Sequence, residues 1–439
     1  MPDYRSPGVY VEEVPPLARP IAGVGTSTPG FVGVIPDTIQ LPARTTQGDA
    51  PGDIKNGYKY VDFSLSAVPA ATPHFVSNWS QYAALFGDFM GSTFMPDGKT
   101  PTPATATQNP AVNAGQRNLA QAVYGFFNNG GTGCYVARVA TEGDLGKVVG
   151  PTGTFAKVDD ISMVAAPGLT GAADYSALVA HCAALQDRIA ILDPVQTDGG
   201  TAFAGGDFTG LENPTSQQGG LRPTDSDYAA FYFPWVQVFD PAAQLLQPNT
   251  NGLIYVPPSG HIAGIYARND ATRGVHKAPA NEPVQGATGL QWMLGKADQD
   301  NLNPVGVNLI RSLNGAIRVW GARTVGGKDN GPFMYLSTRR FFNYLRKSIE
   351  QGTQWVVFEP NNTGLWQRII RSVSDFLLNQ WHAGALFGDT PKQAFFVKCD
   401  AENNPPEVRD AGQVVTDIGV AIVRPAEFVV FRIQQTSGG

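Results

Sequence analysis

A glycine-rich run near the start of the chain, Gly23-Val24-Gly25-Thr26-Ser27-Thr28-Pro29-Gly30, is the first pattern that could do chemistry. A phosphate-cradling loop needs glycines spaced G-x-G-x-x-G, so that backbone amides can approach a pyrophosphate at a helix start. Here Thr28 stands where the third glycine is required, and Pro29 interrupts the helix start. Gly326-Gly327-Lys328 lacks the upstream glycine and the following Ser or Thr of a Walker loop, and reads as a tight turn. The histidines, His74, His181, His261, His276 and His382, are scattered, and none has a partner at H-E-x-x-H spacing. No G-x-S-x-G elbow occurs, and Asp159 and Asp160 point to opposite faces if extended. Cys134, Cys182 and Cys399 are odd in number and far apart, which gives neither a disulfide framework nor a metal knuckle and leaves reduced, structural thiols as the expectation. No catalytic, cofactor-binding or metal-binding residue is therefore nominated, and only convergence of distant side chains would build an enzyme site.

The elements that would have to position such groups are those of a folded chain. With 439 residues and roughly 150 per domain, two or three domains are expected, and 42% hydrophobic content supplies each with a core. Charged residues make up 15%, against about 25% in an ordinary soluble domain, which points to surface covered by neighbours. The formal net charge is -6, and no run of Lys or Arg is long enough to lie along phosphates, which argues against a nucleic-acid partner. No stretch is apolar enough for membrane insertion. Met1 to Arg5 and the prolines and glutamates after it lack the apolar core of a signal peptide, so release by another route, such as cell lysis, is expected.

Periodicity then gives the order of elements. Val9 to Val14 is a short β-branched and aromatic run bounded by prolines, with no hairpin partner beside it, and Phe428 to Ile433 is a similar run near the end. Residues 36–110 are rich in Pro, Gly, Thr and Ala with short apolar pieces, such as Tyr58 to Leu65, and read as a loop-rich β insertion. A helix through Leu119, Val123 and Phe126 is followed by strands at Cys134–Val139, Ile161–Ala165 and Arg188–Leu192, with a helix at Tyr175–Leu185. The stretch from Val195 to Arg222 reads as an exposed loop, and Tyr228–Phe239 as one aromatic strand. Arg339–Gln351 reads as an amphipathic helix burying Phe342, Leu345 and Ile349. Trp355–Phe358 reads as a strand, and Asn361 or Asn362 as the cap of a helix carrying Leu365, Ile369, Val373, Phe376 and Leu377. The fold class is α/β, mixed with α+β features.

Several segments, in order, resemble the contractile tail sheath family of phage tails, pyocin-like particles and extracellular contractile injection systems. They are Ser6-Pro-Gly-Val-Tyr-Val-Glu-Glu, Thr26-Ser-Thr-Pro-Gly-Phe-Val-Gly, Phe233-Pro-Trp235, Val256-Pro-Pro-Ser-Gly-His261, Ala263-Gly-Ile-Tyr-Ala-Arg268 and Gly274-Val-His-Lys-Ala-Pro-Ala-Asn281. Beyond them come Leu302-Asn-Pro-Val-Gly306, Ile317-Arg-Val-Trp-Gly-Ala-Arg-Thr324, Trp355-Val-Val-Phe-Glu-Pro-Asn361 and Pro425-Ala-Glu-Phe428. Taken on its own residues, each piece reads as packing: Ile317 and Val319, for example, alternate with Arg318 and Trp320 as a half-buried strand should.

The resemblance implies a multi-domain sheath subunit: an N-terminal arm (1–22), a β-rich segment with an outer insertion (23–112), an α/β domain (113–265), a C-terminal α/β core domain (266–424) and a C-terminal arm (425–439). It implies a structural protein without a cofactor, one of many copies in a helical sheath around an inner tube protein, with baseplate and terminal cap proteins as further partners. Val9, Tyr10, Val11 and Val14, and Phe428, Val430, Phe431 and Ile433, would be the arm strands added to a neighbour's sheet. The helix bearing Arg339, Arg340, Arg346 and Lys347 would offer a basic face to the tube. An α/β hydrolase-like enzyme and a monomeric binding module stand as the alternatives.

Overall fold

The computed structural model describes residues 20–44, 58–90, 113–196, 203–246 and 251–430. The chain divides into two compact units, one formed by Gly25–Tyr344 with the segment from Arg424, the other by the residues up to Val24 with Leu345–Val423.

The larger unit contains β1 (Pro29–Val34), β2 (Thr38–Arg44), β3 (Tyr58–Ser64), β4 (His74–Val76), β5 (Cys134–Val139), β6 (Met163–Ala165) and β7 (Ile189–Leu192). It continues with β8 (Ala229–Phe233), β9 (Val236–Phe239), β10 (Leu253–Val256), β11 (Gly289–Leu290), β12 (Val307–Leu313) and β13 (Ala316–Val319). Eight of these form one sheet in the order β13-β12-β8-β7-β6-β1-β5-β4. Its six inner strands are parallel, and antiparallel β13 and β4 close the two edges. A mainly parallel sheet must be covered on both faces, and the side chains divide accordingly. Phe31, Ile191, Tyr232 and Ile310 point into one core, and Val32, Ala190, Phe231 and Leu309 into the other.

Helices Ala114–Asn128 and Ser259–Arg273 cover the first face, and helix Ala172–Leu185 covers the second. The first pair cross with almost no space between backbones. A Cβ on Gly260 would lie 2.2 Å from the Ala122 carbonyl oxygen, and one on Gly264 would lie 2.4 Å from that of Phe126. This close approach explains the glycines in the Ser259-Gly-His and Ala263-Gly-Ile pieces. Helix 259–273 is also held at its start by buried Asp193, whose carboxylate accepts from Ser259 N (2.8 Å), Ser259 Oγ (2.7 Å) and Gly168 N (3.2 Å). Burial pushes the Asp193 carboxyl up to about 7 despite these donors.

In the smaller unit, helix Thr363–His382 starts from Asn362, whose side chain accepts from Leu365 N at 3.0 Å. It buries Leu365, Ile369, Val373, Phe376 and Leu377, the expected apolar stripe. A two-stranded antiparallel sheet, β14 (Phe395–Lys398) and β15 (Asp417–Val420), completes the unit. The side chain of Asn404 ties the intervening turn by accepting from Val415 N at 2.7 Å and donating to Val415 O at 2.9 Å.

Five expectations require correction. The sheet runs across the expected boundary at 265/266, because β12 and β13 pair with β8 rather than founding a new domain. Tyr228–Phe239 is two strands in different sheets, since Pro234, which has no N–H to give a ladder, stands between β8 and β9. Trp355–Phe358 is not a strand: Val356 N bonds Thr353 O and Val357 N bonds Gln354 O, closing a 3-10 turn. The loop before β8 is only partly exposed, because Phe203 and Leu211 are buried and Phe203 and Phe208 pack on Phe233 and Trp292. Finally, helix Leu336–Gly352 buries Leu345 as expected but leaves Phe342 38% exposed and buries its neighbour Phe341 instead.

Candidate assembly interface and the anchors of the two arms

The three cysteines and two of the histidines, His181 and His261, are built into the core. All three cysteines are free and buried, and burial pushes the Cys134 and Cys182 thiols up, away from thiolate at neutral pH. His181 and His261 are driven down to about 4, chiefly by burial, and so stay neutral at pH 7. Among the described residues, no group of three His, Cys, Asp or Glu side chains could hold a metal ion, and no helix is long and apolar enough to cross a membrane. The early glycine run leads into strand β1, and Gly326 and Gly327 both take positive φ in a turn, as expected.

What the fold does assemble lies at the roots of the two terminal segments. At the N-terminal root, Arg340 and Asp270 form an ion pair whose side chains are each 4% exposed. Arg340 Nη1 donates to Asp270 Oδ1 (2.9 Å), and Nη2 to Asp270 Oδ2 (2.6 Å) and the Thr26 carbonyl (3.0 Å). Thr26 Oγ1 in turn donates to Asp270 Oδ2 at 2.6 Å, and the guanidinium lies 4.5 Å from the Tyr266 ring centroid. Burial works against the charge on Arg340, but the Asp270 carboxylate outweighs it and holds the guanidinium above its ordinary range.

At the C-terminal root, Glu427 enters a socket made by three other segments. Arg323 grips it side-on with one edge of the guanidinium, Nε to Oε1 at 3.0 Å and Nη2 to Oε2 at 2.7 Å. Asn303 Nδ2 donates to Oε1 at 2.6 Å, and Tyr335 OH to Oε2 at 2.9 Å. Burial raises the Glu427 carboxyl, the donors lower it further, and the net position is below the usual range. Immediately beyond, Phe428, Val429 and Val430 are 73%, 67% and 78% exposed.

Of the nominated arm residues, Phe428 and Val430 are thus exposed, whereas Val9, Tyr10, Val11, Val14, Phe431 and Ile433 lie outside the described residues. The basic helix face is corrected. Arg340 is buried against Asp270; Arg339 is buried against Asp227 and sits over the Phe333 ring at 3.4 Å; Lys347 is buried as well. Only Arg346 of the four is exposed. Periodicity assigned these charges to solvent because it does not register acids that arrive from distant segments. The Glu427 socket joins three of the quoted sequence pieces, those holding Asn303, Arg323 and Glu427, which had been read only as packing. The legible signal was a lone acid, Glu427, between Pro425 and the apolar run Phe428–Phe431.

The described residues thus form a covered, mainly parallel sheet, a small second unit and two tethered terminal segments. Two family descriptions match the chain: the phage tail sheath protein central domain over residues 154–325 and the phage tail sheath C-terminal domain over 328–436. The chain belongs to the contractile phage tail sheath family. The tail sheath protein of Burkholderia phage BcepMu is 27% identical over 222 residues, 49% of this chain and 44% of that relative, so the match spans less than half of the curated relative's length. The anti-feeding prophage helical sheath in its contracted state is 26% identical, with a TM-score of 0.67, over 99% of this chain and all of that one. The sheath complex of the extracellular contractile injection system PVC, also contracted, shares the fold at 24% identity and a TM-score of 0.69, over 99% of each chain.

Proposed function

We propose that this chain is the structural subunit of a contractile sheath, polymerising helically around an inner tube and contracting from a metastable extended state to drive the tube through a target envelope. The observation that carries the reading is the exposed apolar run Phe428–Val430, which makes no backbone hydrogen bond with its own chain among the described residues. Such a segment can complete the edge of another copy's sheet through its main-chain groups, while alternate side chains fill pockets. The same chain offers a receiver: among the described residues, β14 and β15 form a two-stranded sheet, a size marginally stable by itself, with Phe396 59% exposed on one face. Donor and receiver on one chain make a head-to-tail contact, and a head-to-tail contact that does not close generates a helix.

Contraction is then a rigid-body rearrangement of subunits about their arms, driven by larger contact in the short state rather than by nucleotide hydrolysis. The partners of this reading are further copies of the chain, the tube protein, and baseplate and cap proteins, in a phage tail or tail-like particle assembled inside the bacterium. Arg346 remains the basic residue proposed to face the tube. Negative-stain electron microscopy of the chain with its tube protein tests the proposal: the full chain forms striated cylinders, and chains lacking residues 1–14 or 428–439 stay as folded monomers. Normal cylinders from either truncated chain refute the arm mechanism, and a full chain that stays monomeric refutes the sheath reading.

A further inference from the structure

Among the described residues, the polar attachment of the C-terminal arm to the larger unit runs through one side chain. Val423 N bonds Ala385 O at 3.2 Å in the smaller unit, and from Arg424 the chain belongs to the larger unit. Among the described residues, the stretch 424–430 makes no backbone hydrogen bond, and its polar contacts to the body all run through the Glu427 carboxylate. The receiving side, by contrast, is built independently of the arm. Arg323 N donates to Asn308 Oδ1 at 2.7 Å, Asn308 Nδ2 returns a bond to Arg323 O at 2.8 Å, and Arg323 Nη1 reaches Asn303 O at 3.3 Å. A guanidinium already held by Asn303 O thus meets one carboxylate peg, and with that peg in place the Arg323 side chain is 7% exposed.

Resting on the sheath reading above, we propose that Glu427 is the positioning residue of the C-terminal arm. Seated by Arg323, Asn303 and Tyr335 of its own subunit, it fixes the point from which the strand-forming residues set out toward the next copy. The length of chain shows what the clamp does. From Glu427 to Ile433 an extended chain reaches about 20 Å, at about 3.3 Å per residue. Without the clamp the free segment begins after Val423, four residues earlier, and the reach grows to about 33 Å. Strand addition is an intramolecularly presented event whose effective concentration falls with tether length to the power 3/2 or steeper, so unclamping dilutes the arm about two- to fivefold at each contact. The clamp acts on assembly through this geometry and not through any contact with the neighbour.

The experiment uses the full chain and its tube protein, with Glu427→Gln and Tyr335→Phe. Glu427→Gln keeps the side-chain shape and removes the charge; Tyr335→Phe removes one donor and leaves every charge paired, so it remains informative should the first variant fold poorly. Two readouts are taken: chymotryptic cleavage after Phe428 in the unassembled chain, and the concentration at which cylinders first form. The expected result is severalfold faster cleavage, and a threshold raised about two- to fivefold in Glu427→Gln and less in Tyr335→Phe, with an unchanged melting midpoint of the body. If wild type assembles and both variants match it in threshold, the positioning role is overturned, even where cleavage accelerates. If wild type itself forms no cylinders, the sheath reading is overturned and the clamp's role falls with it.

Discussion

Asp270→Asn is the sharpest perturbation that the structure offers. The substitution keeps the size and shape of the side chain but removes the carboxylate charge bonded to Arg340, whose side chain is 4% exposed. Removing one member of a buried ion pair costs about 3–5 kcal/mol, because the remaining charge stays desolvated. The Tyr266 ring at 4.5 Å and the Thr26 carbonyl face the guanidinium in both proteins and so cancel, while the amide oxygen that replaces a carboxylate oxygen can still accept from Arg340 and limits the loss. The expected loss is therefore about 3 kcal/mol, toward the lower end of the range for a broken buried pair. Urea unfolding of the unassembled chain, followed by tryptophan fluorescence and by circular dichroism, measures it. A second arm of the test fixes the mechanism: replacing both partners, Asp270→Leu with Arg340→Met, should recover most of the loss, since exchanging a buried pair for apolar groups is often neutral. A single-variant loss below about 1 kcal/mol, the value of an exposed pair, refutes the buried-anchor reasoning. The same result governs any charge reversal at Arg340, which would act through the fold before it could report on the tube.

Two further outcomes follow from the same geometry. Gly264→Ala should destabilise the body by about 1–3 kcal/mol by overpacking, more than offsetting the roughly 1 kcal/mol that alanine gains over glycine in a helix, because its new methyl meets the Phe126 carbonyl; thermal unfolding that is unchanged or improved rules this out. The Glu427 clamp should loosen in acid. Its carboxyl lies below the usual range in the folded chain, so its contribution is fully present above the unfolded value of about 4.3 and is lost as pH falls through the lower folded one. Chymotryptic sensitivity after Phe428, probed by brief acid exposure and mass spectrometry after return to neutral pH, should leave an unchanged neutral pattern; hydrogen exchange of the Tyr335 region should rise only below about pH 4. Faster exchange setting in near pH 6 would instead place the weak point at another group.

The sequence by itself determined the local layer of this protein. Apolar periodicity is a property of neighbours along the chain, and it correctly placed strands β5 and β7, the helices around Val123 and Leu178, and the stripe from Leu365 to Leu377 under its Asn362 cap. The order of short pieces carried the family, because those pieces include backbone requirements such as the glycines at 260 and 264. Tertiary structure decided where strands found partners and where charges were spent. Strand β12 joins β8 across 76 residues of sequence, as the register of Val307 with Phe231 and Leu309 with Phe233 shows, and no local pattern encodes that pairing. Arg339, Arg340 and Lys347 read as a solvated face because three or four residues around a basic side chain show nothing of Asp227 or Asp270, which come from other elements. For the same reason Glu427 looked like an incidental acid in a strand. Its meaning depends on Asn303, Arg323 and Tyr335 being brought within hydrogen-bonding distance, and that convergence exists only once the chain has folded.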